Sequence, residues 1–252
     1  MAFDVAGEAY DLFMGRYSIP LAQLLIAEVG IAPGDRVLDV GCGPGSMTSL
    51  LVEILGAERV AAVDPSPPFV EAVRRRLPGV ATHLAGAELM PFPDTGFDAA
   101  IANLVVPFMA DPDAGLREMR RVVRDGGVVA ATAWDHMGAG APLAPFWSAV
   151  IAVEPDALDE STQAGAGEGD LETVLSTAGL REVRGLSFTV RVTHPTFEDW
   201  WEPYTLGVGP AGDYLRQTAP ELRARIEESA RELLGGGPFD VTGRAWCAIG
   251  AR

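Results

Sequence analysis

Two hydrophobic periods alternate along the first half of this chain. Over residues 18–30 apolar positions recur at helical spacing, with Leu21, Leu24, Leu25 and Val29 on one face, Ser18 as cap, Pro20 in the first turn and Gly30 at the stop. The turn "APGD" leads into a short apolar run that predicts the strand Val37–Val40, and "SMTSLLVEIL" follows as a helix ended by Gly56. The same grammar repeats. "RVAAVD" predicts a strand, and "SPPFVEAVRRRLPG" a helix with Ser66 as cap, Pro67 in its first turn and Gly79 at its stop. "GVATHLAG" and "FDAAIAN" predict two more strands. A helix in "DPDAGLREMRRVVRDGG", capped by Asp111 and ended by Gly126, precedes the strand "GVVAATAW". Apolar strands alternating with amphipathic helices predict a parallel sheet covered on both faces.

After Trp134 the texture changes. "DHMGAGAPLAP" is a loop, "PFWSAVIAVE" a short helix, and "PDALDESTQAGAGEGD" an acidic, glycine-studded loop of low order. The helix "LETVLSTAGL", the strand "FTVRVT" and the aromatic segment "FEDWWEPYT" follow. A further helix starts at the capping box Thr218-x-x-Glu221, with Leu222, Ile226, Ala230 and Leu233 on one face, and "RAWCAIGA" is the last strand. No internal repeat is visible. The expectation is one domain over 1–252, with N-terminal cap helices (1–30), a binding core (31–134) and a C-terminal part (135–252) carrying helical insertions near the last strands.

Composition narrows the partners. The net charge is −16 and all 19 basic residues are arginine, a field that repels nucleic acid and anionic membranes. No apolar run approaches the length of about 18 residues that spans a bilayer, and the acidic start "MAFDVAGEAYDLF" lacks the basic region of a signal peptide. A soluble, cytoplasmic protein is expected. The two cysteines, Cys42 and Cys247, form neither a metal cluster nor a disulfide framework, and the three histidines show no metal-ligand spacing. No metal is expected.

The candidate chemistry starts at "VLDVGCGPGS". A strand, a glycine loop and a helix start place backbone N–H groups around open space at the carboxyl edge of a sheet. The spacing Gly41-x-Gly43-x-Gly45 departs from the dinucleotide fingerprint, and no Lys-Ser/Thr follows to make a phosphate loop. The next strand ends in Asp64, a carboxylate placed to accept both hydroxyls of a ribose; a turn or cap role for Asp64 is the alternative, since Pro65 and Ser66 follow.

Four motifs in order, "VLDVGCGPG", "VAAVDPS", "AELMPFPDTGFDAAIANLVV" and "LREMRRVVRDGGVVAATAW", resemble the class I S-adenosylmethionine-dependent methyltransferases, in particular the type 11 enzymes of ubiquinone and menaquinone biosynthesis. The resemblance covers residues 31–134. It implies a doubly wound, seven-stranded, mostly parallel Rossmann-like α/β sheet with S-adenosylmethionine as cofactor. It further implies that Asp39, Gly41, Gly43 and Gly45 surround the methionine part, that Asp64 takes the ribose hydroxyls, that Gly86 and Ala87 hold the adenine edge, and that Asn103 is another cofactor contact. The family usually carries Asp or Asn where this chain has Gly86, so the contact to the adenine amino group falls to Glu88 or to backbone alone. "AYDLFMGRYS" is similar to the cap that folds over the cofactor in such enzymes, with Arg16 placed to pair with the cofactor carboxylate.

A sulfonium is already an activated methyl donor, so the protein must hold the acceptor in line, exclude water and, where the acceptor needs it, take a proton. His136 after the fifth strand and His194 after the sixth stand where a general base would sit, and a loop histidine with one backbone bond is the alternative for each. His83 lies inside a strand and reads as structural. Trp200, Trp201 and Tyr204 suit a lid over a flat acceptor, with core packing or a homodimer contact as alternatives. The expected function is methyl transfer to an O, C or N atom of a small apolar or aromatic metabolite. A cofactor-binding protein of the same fold without transfer activity is the alternative.

Overall fold

The computed structural model describes residues 7–252, so the first six residues of the expected cap lie outside it. Seven strands form one sheet in the order β3-β2-β1-β4-β5-β7-β6. They are β1 (Val37–Val40), β2 (Val60–Asp64), β3 (Ala81–Leu84), β4 (Phe97–Asn103), β5 (Val123–Trp134), β6 (Arg181–His194) and β7 (Phe239–Ala251). Strands β1 to β5 pair in parallel, and β7 runs antiparallel between β5 and β6. This is the doubly wound, mostly parallel sheet that the sequence predicts. The parallel strands β1, β2, β4 and β5 therefore all end on one edge, at Val40, Asp64, Asn103 and Trp134.

Burial follows the pleat. In β1, Val37 joins the core on one face while Leu38 and Val40 join the core on the other. The first of these faces is covered by α2 (Arg16–Val29) and α3 (Ser46–Leu55), with Leu25 and Leu51 fully buried against Val60 and Ile101. The second is covered by α5 (Pro112–Val122) and α7 (Asp170–Thr177), through Leu116, Met119, Leu171 and Leu175. Helix α4 (Pro67–Arg76) follows β2. With helices on both faces, the inner strands need no polar side, which is why they read as unbroken apolar runs.

A third core sits beyond the carboxyl edge. It joins Phe13, Met14, Tyr17 and Leu21 of the N-terminal helices to α6 (Ala144–Val153), α8 (Phe197–Trp201), α9 (Gly209–Gln217) and α10 (Pro220–Leu234). Among the described residues no helix is long and apolar enough to cross a membrane.

Several local expectations are corrected. Ser18 does not cap a helix: helical backbone already runs through α1 (Gly7–Tyr10), passes through a π-turn over Asp11–Gly15 and continues into α2, leaving Ser18 and Pro20 inside it. Asp111 does cap α5, accepting from the Ala114 N–H at 2.9 Å, but the helix stops at Val122 rather than Gly126. Val123 already pairs with Phe97, and a register shift intervenes before Val128 pairs with Ala99. Ser66 occupies the N-cap position of α4 without a side-chain capping bond. The capping box at Thr218 is absent too. Its hydroxyl donates to the Tyr214 carbonyl at 2.7 Å, closing the preceding helix, and α10 starts on Pro220. Leu24 and Leu233, expected on buried faces, are exposed.

Candidate active site

The strand-to-helix turn after β1 is built by close approach. Gly41 has φ +67°, and a Cβ there would lie 2.5 Å from both Val105 methyls, so no side chain fits. Gly41 and Cys42 donate to the Val63 carbonyl at 2.8 and 3.0 Å, tying the loop to the end of β2. Gly43 differs. It has φ +54° with nothing within 4 Å of the Cβ position, so its open side faces a cavity of about 690 Å³.

Asp64 stands at the cavity wall with both carboxylate oxygens anchored. Oδ2 accepts the Gly43 N–H at 2.9 Å and Oδ1 the Ser66 N–H at 2.8 Å. Each oxygen keeps a second lone pair for a donor in the cavity. Burial raises its pKa, while the two backbone bonds pull the other way. Asp39 and Gly45 do not line the cavity. Asp39 lies beneath the loop, 1% exposed, and accepts the Thr48 hydroxyl at 2.6 Å, which pins the first turn of α3. Burial, with the Asp64 charge adding, pushes its carboxyl up to about 7.

Gly86, Ala87 and Glu88 line the same cavity. A Cβ on Gly86 would lie 2.7 Å from Glu88 Oε2. The Glu88 carboxylate therefore fills the space beside the backbone that a side chain at position 86 would take. Its Oε1 accepts the Ala110 and Asp111 N–H groups at 2.8 and 3.3 Å, holding it in place. Asn103 ends β4 at the cavity wall, its Oδ1 accepting the Thr132 hydroxyl at 2.8 Å. Leu104 follows with φ +64°, a conformation that non-glycine residues rarely hold and that here turns the chain along the cavity wall.

The rest of the cavity is apolar and aromatic, lined by Phe13, Met14, Trp134, Leu143 and Val208. Half-buried His136 stands among them, its imidazole pushed down to about 4 by burial against the opposing pull of Asp159 and Asp135, so it is neutral at pH 7. Two polar residues from the loop after α6 also line it, Glu160 and Gln163. Glu160 is 4% exposed, and its Oε2 accepts the Trp147 indole N–H at 2.9 Å. Burial pushes its carboxyl up to about 7. Nothing local in the sequence marks either one: Asp156, Asp159 and Glu160 share the same acidic loop context.

Besides Asp39 and Gly45, five further predicted residues are not brought to the cavity. His194 is 1% exposed with both ring nitrogens engaged, Nε2 with the Tyr17 hydroxyl at 2.7 Å and Nδ1 with Asp199 Oδ2 at 2.8 Å. Arg16 Nη1 also lies 3.0 Å from Nδ1, so both ring nitrogens are spent inside this cluster. Arg16 is committed to the same cluster by its 2.7 Å pair with Asp199. Together they latch the N-terminal helix to the end of β6, which corrects the expected roles of His194 as base and Arg16 as cofactor partner. Trp200, Trp201 and Tyr204 are also buried, at 2%, 5% and 3% exposure, in the third core. Tyr204 stacks on Phe146 at 4.6 Å and meets Phe13 edge-on at 4.9 Å. They back the cavity wall rather than form its surface.

The sequence pattern of a family described as a methyltransferase domain matches residues 38–131. A malonyl-[acyl-carrier protein] O-methyltransferase of Pseudescherichia vulneris is 32% identical over 200 residues, covering 75% of this chain and 78% of that protein. An uncharacterized protein of Mycobacterium tuberculosis is 32% identical over 243 residues, covering 92% and 87%. Among solved structures, the YcgJ protein of Bacillus subtilis shares the fold with a TM-score of 0.58 at 18% identity, covering 92% of this chain and 97% of that one.

Proposed function

The chain belongs to the S-adenosylmethionine-dependent methyltransferases, and from that premise we propose that it methylates an O, N or C atom of a small, apolar or aromatic acceptor. One observation carries the reading. The same cavity joins a polar half, made by Gly43, Asp64, Gly86 and Glu88, to an apolar half walled by Phe13, Trp134 and Leu143. Cofactor and acceptor would meet at that boundary, near Asn103 and Leu104.

The residues of the polar half fit the cofactor. Asp64 has one free lone pair on each oxygen for the ribose hydroxyls, the open face of Gly43 admits the methionine part against backbone, and Glu88 takes the adenine amino group in place of a side chain at position 86. When bound, the cofactor supplies a methyl group already activated by a sulfonium. The protein's part is then positioning and water exclusion. Phe13, Trp134 and Leu143 orient the acceptor and keep water out. His136 offers a neutral imidazole at pH 7 as a hydrogen-bond acceptor on that side, and with its pKa held at about 4 it is too weakly basic to keep a proton there. The Pseudescherichia vulneris relative is named for a malonyl-[acyl-carrier protein] acceptor, but the acidic lining of this cavity gives no reason to carry that acceptor over.

The test is transfer of tritium from methyl-labelled S-adenosylmethionine into a panel of aromatic amines, phenols and acids. Label in at least one extracted acceptor, absent without protein, is the expected result. Cofactor binding with no label in any acceptor would favour a binding protein of the same fold.

A further inference from the structure

One polar cluster in the cavity has no part in holding the cofactor. Glu160 and Gln163 come from the same loop and reach the acceptor half of the cavity, where the other walls are mostly apolar. Gln163 Nε2 donates to Glu160 Oε1 at 3.4 Å, while Gln163 Oε1 is buried with no hydrogen-bond partner. An unpartnered buried amide oxygen costs about 1–3 kcal/mol unless a ligand or water satisfies it. Both residues thus present acceptor oxygens and call for a donor.

The charges agree. The cavity-lining residues include Asp64, Glu88 and Glu160, and among the described residues no arginine lines it; the chain has no lysine. A carboxylate-bearing acceptor would enter an acidic, partly apolar site with no cation to pair with, which is costly. An ammonium or neutral N–H donor meets two acceptor oxygens in a wall shared with the aromatic residues Phe13 and Trp134.

We propose that Glu160 and Gln163 form the recognition subsite for the methyl acceptor and select an amine over the equivalent carboxylic acid. This rests on the methyltransferase reading of the cavity and narrows its acceptor. Glu160 gives the ionic half of the contact and Gln163 Oε1 the directional half. Trp147 holds the Glu160 carboxylate from α6, so it faces the cavity without having to be ordered by the ligand.

The proposal carries a pH signature. Ionised Glu160 binds an ammonium and protonated Glu160 does not, so amine affinity rises as pH passes upward through about 7, with a proton released on binding. Three groups near Glu160 do not titrate there. Asp159 is held below the usual carboxylate range by its bonds to Ser161, His136 is pushed down to about 4, and Tyr204 is raised well above the usual phenol range by burial. Asp39 titrates near 7 but lies beneath the glycine loop, outside the cavity, so its effect belongs to the cofactor half.

The probes are phenethylamine and phenylacetate, two molecules of similar shape and opposite charge, titrated calorimetrically into the protein saturated with S-adenosylhomocysteine. Phenethylamine is expected to bind at least about 10-fold tighter at pH 8, the size of one charge-assisted contact. Its affinity should fall as pH drops to 6. Glu160→Gln preserves an acceptor for the Trp147 indole and removes the charge. It should abolish both the preference and the pH dependence, with S-adenosylhomocysteine affinity within about 2-fold of wild type. Failure of phenethylamine to outbind phenylacetate would overturn the proposal, as would a preference that survives Glu160→Gln. Failure of S-adenosylhomocysteine to bind wild type would instead overturn the methyltransferase reading of the cavity, and this inference with it.

Discussion

Replacing Asp64 with alanine is expected to weaken S-adenosylhomocysteine binding by about 100-fold or more, measured by calorimetry at pH 8. Two charge-assisted hydrogen bonds to a ribose, each worth about 1.5 kcal/mol or more, account for that loss. The substitution also frees the Gly43 and Ser66 N–H groups that the carboxylate now holds at 2.9 and 2.8 Å, loosening the loop it would read through. Stability should change in its dependence on pH. Burial raises the folded pKa of Asp64, so its contribution to stability is full at low pH and is lost as pH rises through that folded value. Alanine removes this pH dependence together with the two backbone hydrogen bonds, so the variant's melting temperature should vary less with pH than that of wild type. Glu88→Ala removes one contact rather than two and should weaken binding by only about 10-fold. Undiminished affinity in Asp64→Ala would contradict the ribose assignment.

Trp200→Ala carries the largest stability effect. The indole is 2% exposed, packed by Phe197, Trp201 and Tyr204 with ring centroids 5.7, 6.1 and 5.0 Å away. Truncating a buried aromatic of this size costs about 3–5 kcal/mol. For a chain of this length the melting temperature should fall by about 6–20 °C. Cofactor affinity at low temperature should stay within a few-fold of wild type, since Trp200 is not on the cavity surface. An unchanged melting temperature with a sharply raised acceptor KM would instead restore the mobile aromatic lid that the sequence suggests.

The difference between Trp200 and Asp64 shows what a sequence can carry. The turn at Gly41 and Gly43 and the end of β2 at Asp64 are local: strand, loop and helix lie within a few residues, and the order of short apolar runs dictates where the strands end. Position 86 was legible as a departure, while its remedy at Glu88 was legible only as one of two alternatives, because the carboxylate is held by backbone N–H groups 22 and 23 residues away. Arg16 pairs with Asp199 across 183 residues, and nothing near either one announces it. His136 and His194 both follow strands in the sequence. What separates them is the packing beyond the carboxyl edge, which seals His194 against Tyr17 and leaves His136 in the cavity wall. The aromatic segment fails for the same reason: whether Trp200 and Trp201 face a ligand or a core depends on where α6 and α10 dock. The loop carrying Glu160 and Gln163 has no periodic signal at all, so only the fold brings it to the site.

The most direct test of the account is a calorimetric titration of the wild-type protein with S-adenosylmethionine, S-adenosylhomocysteine and, separately, NADH. One site per chain for the two adenosyl ligands, in the micromolar range or tighter, with no heat from NADH, is the predicted result. Heat from NADH, or none from either adenosyl ligand, would contradict it.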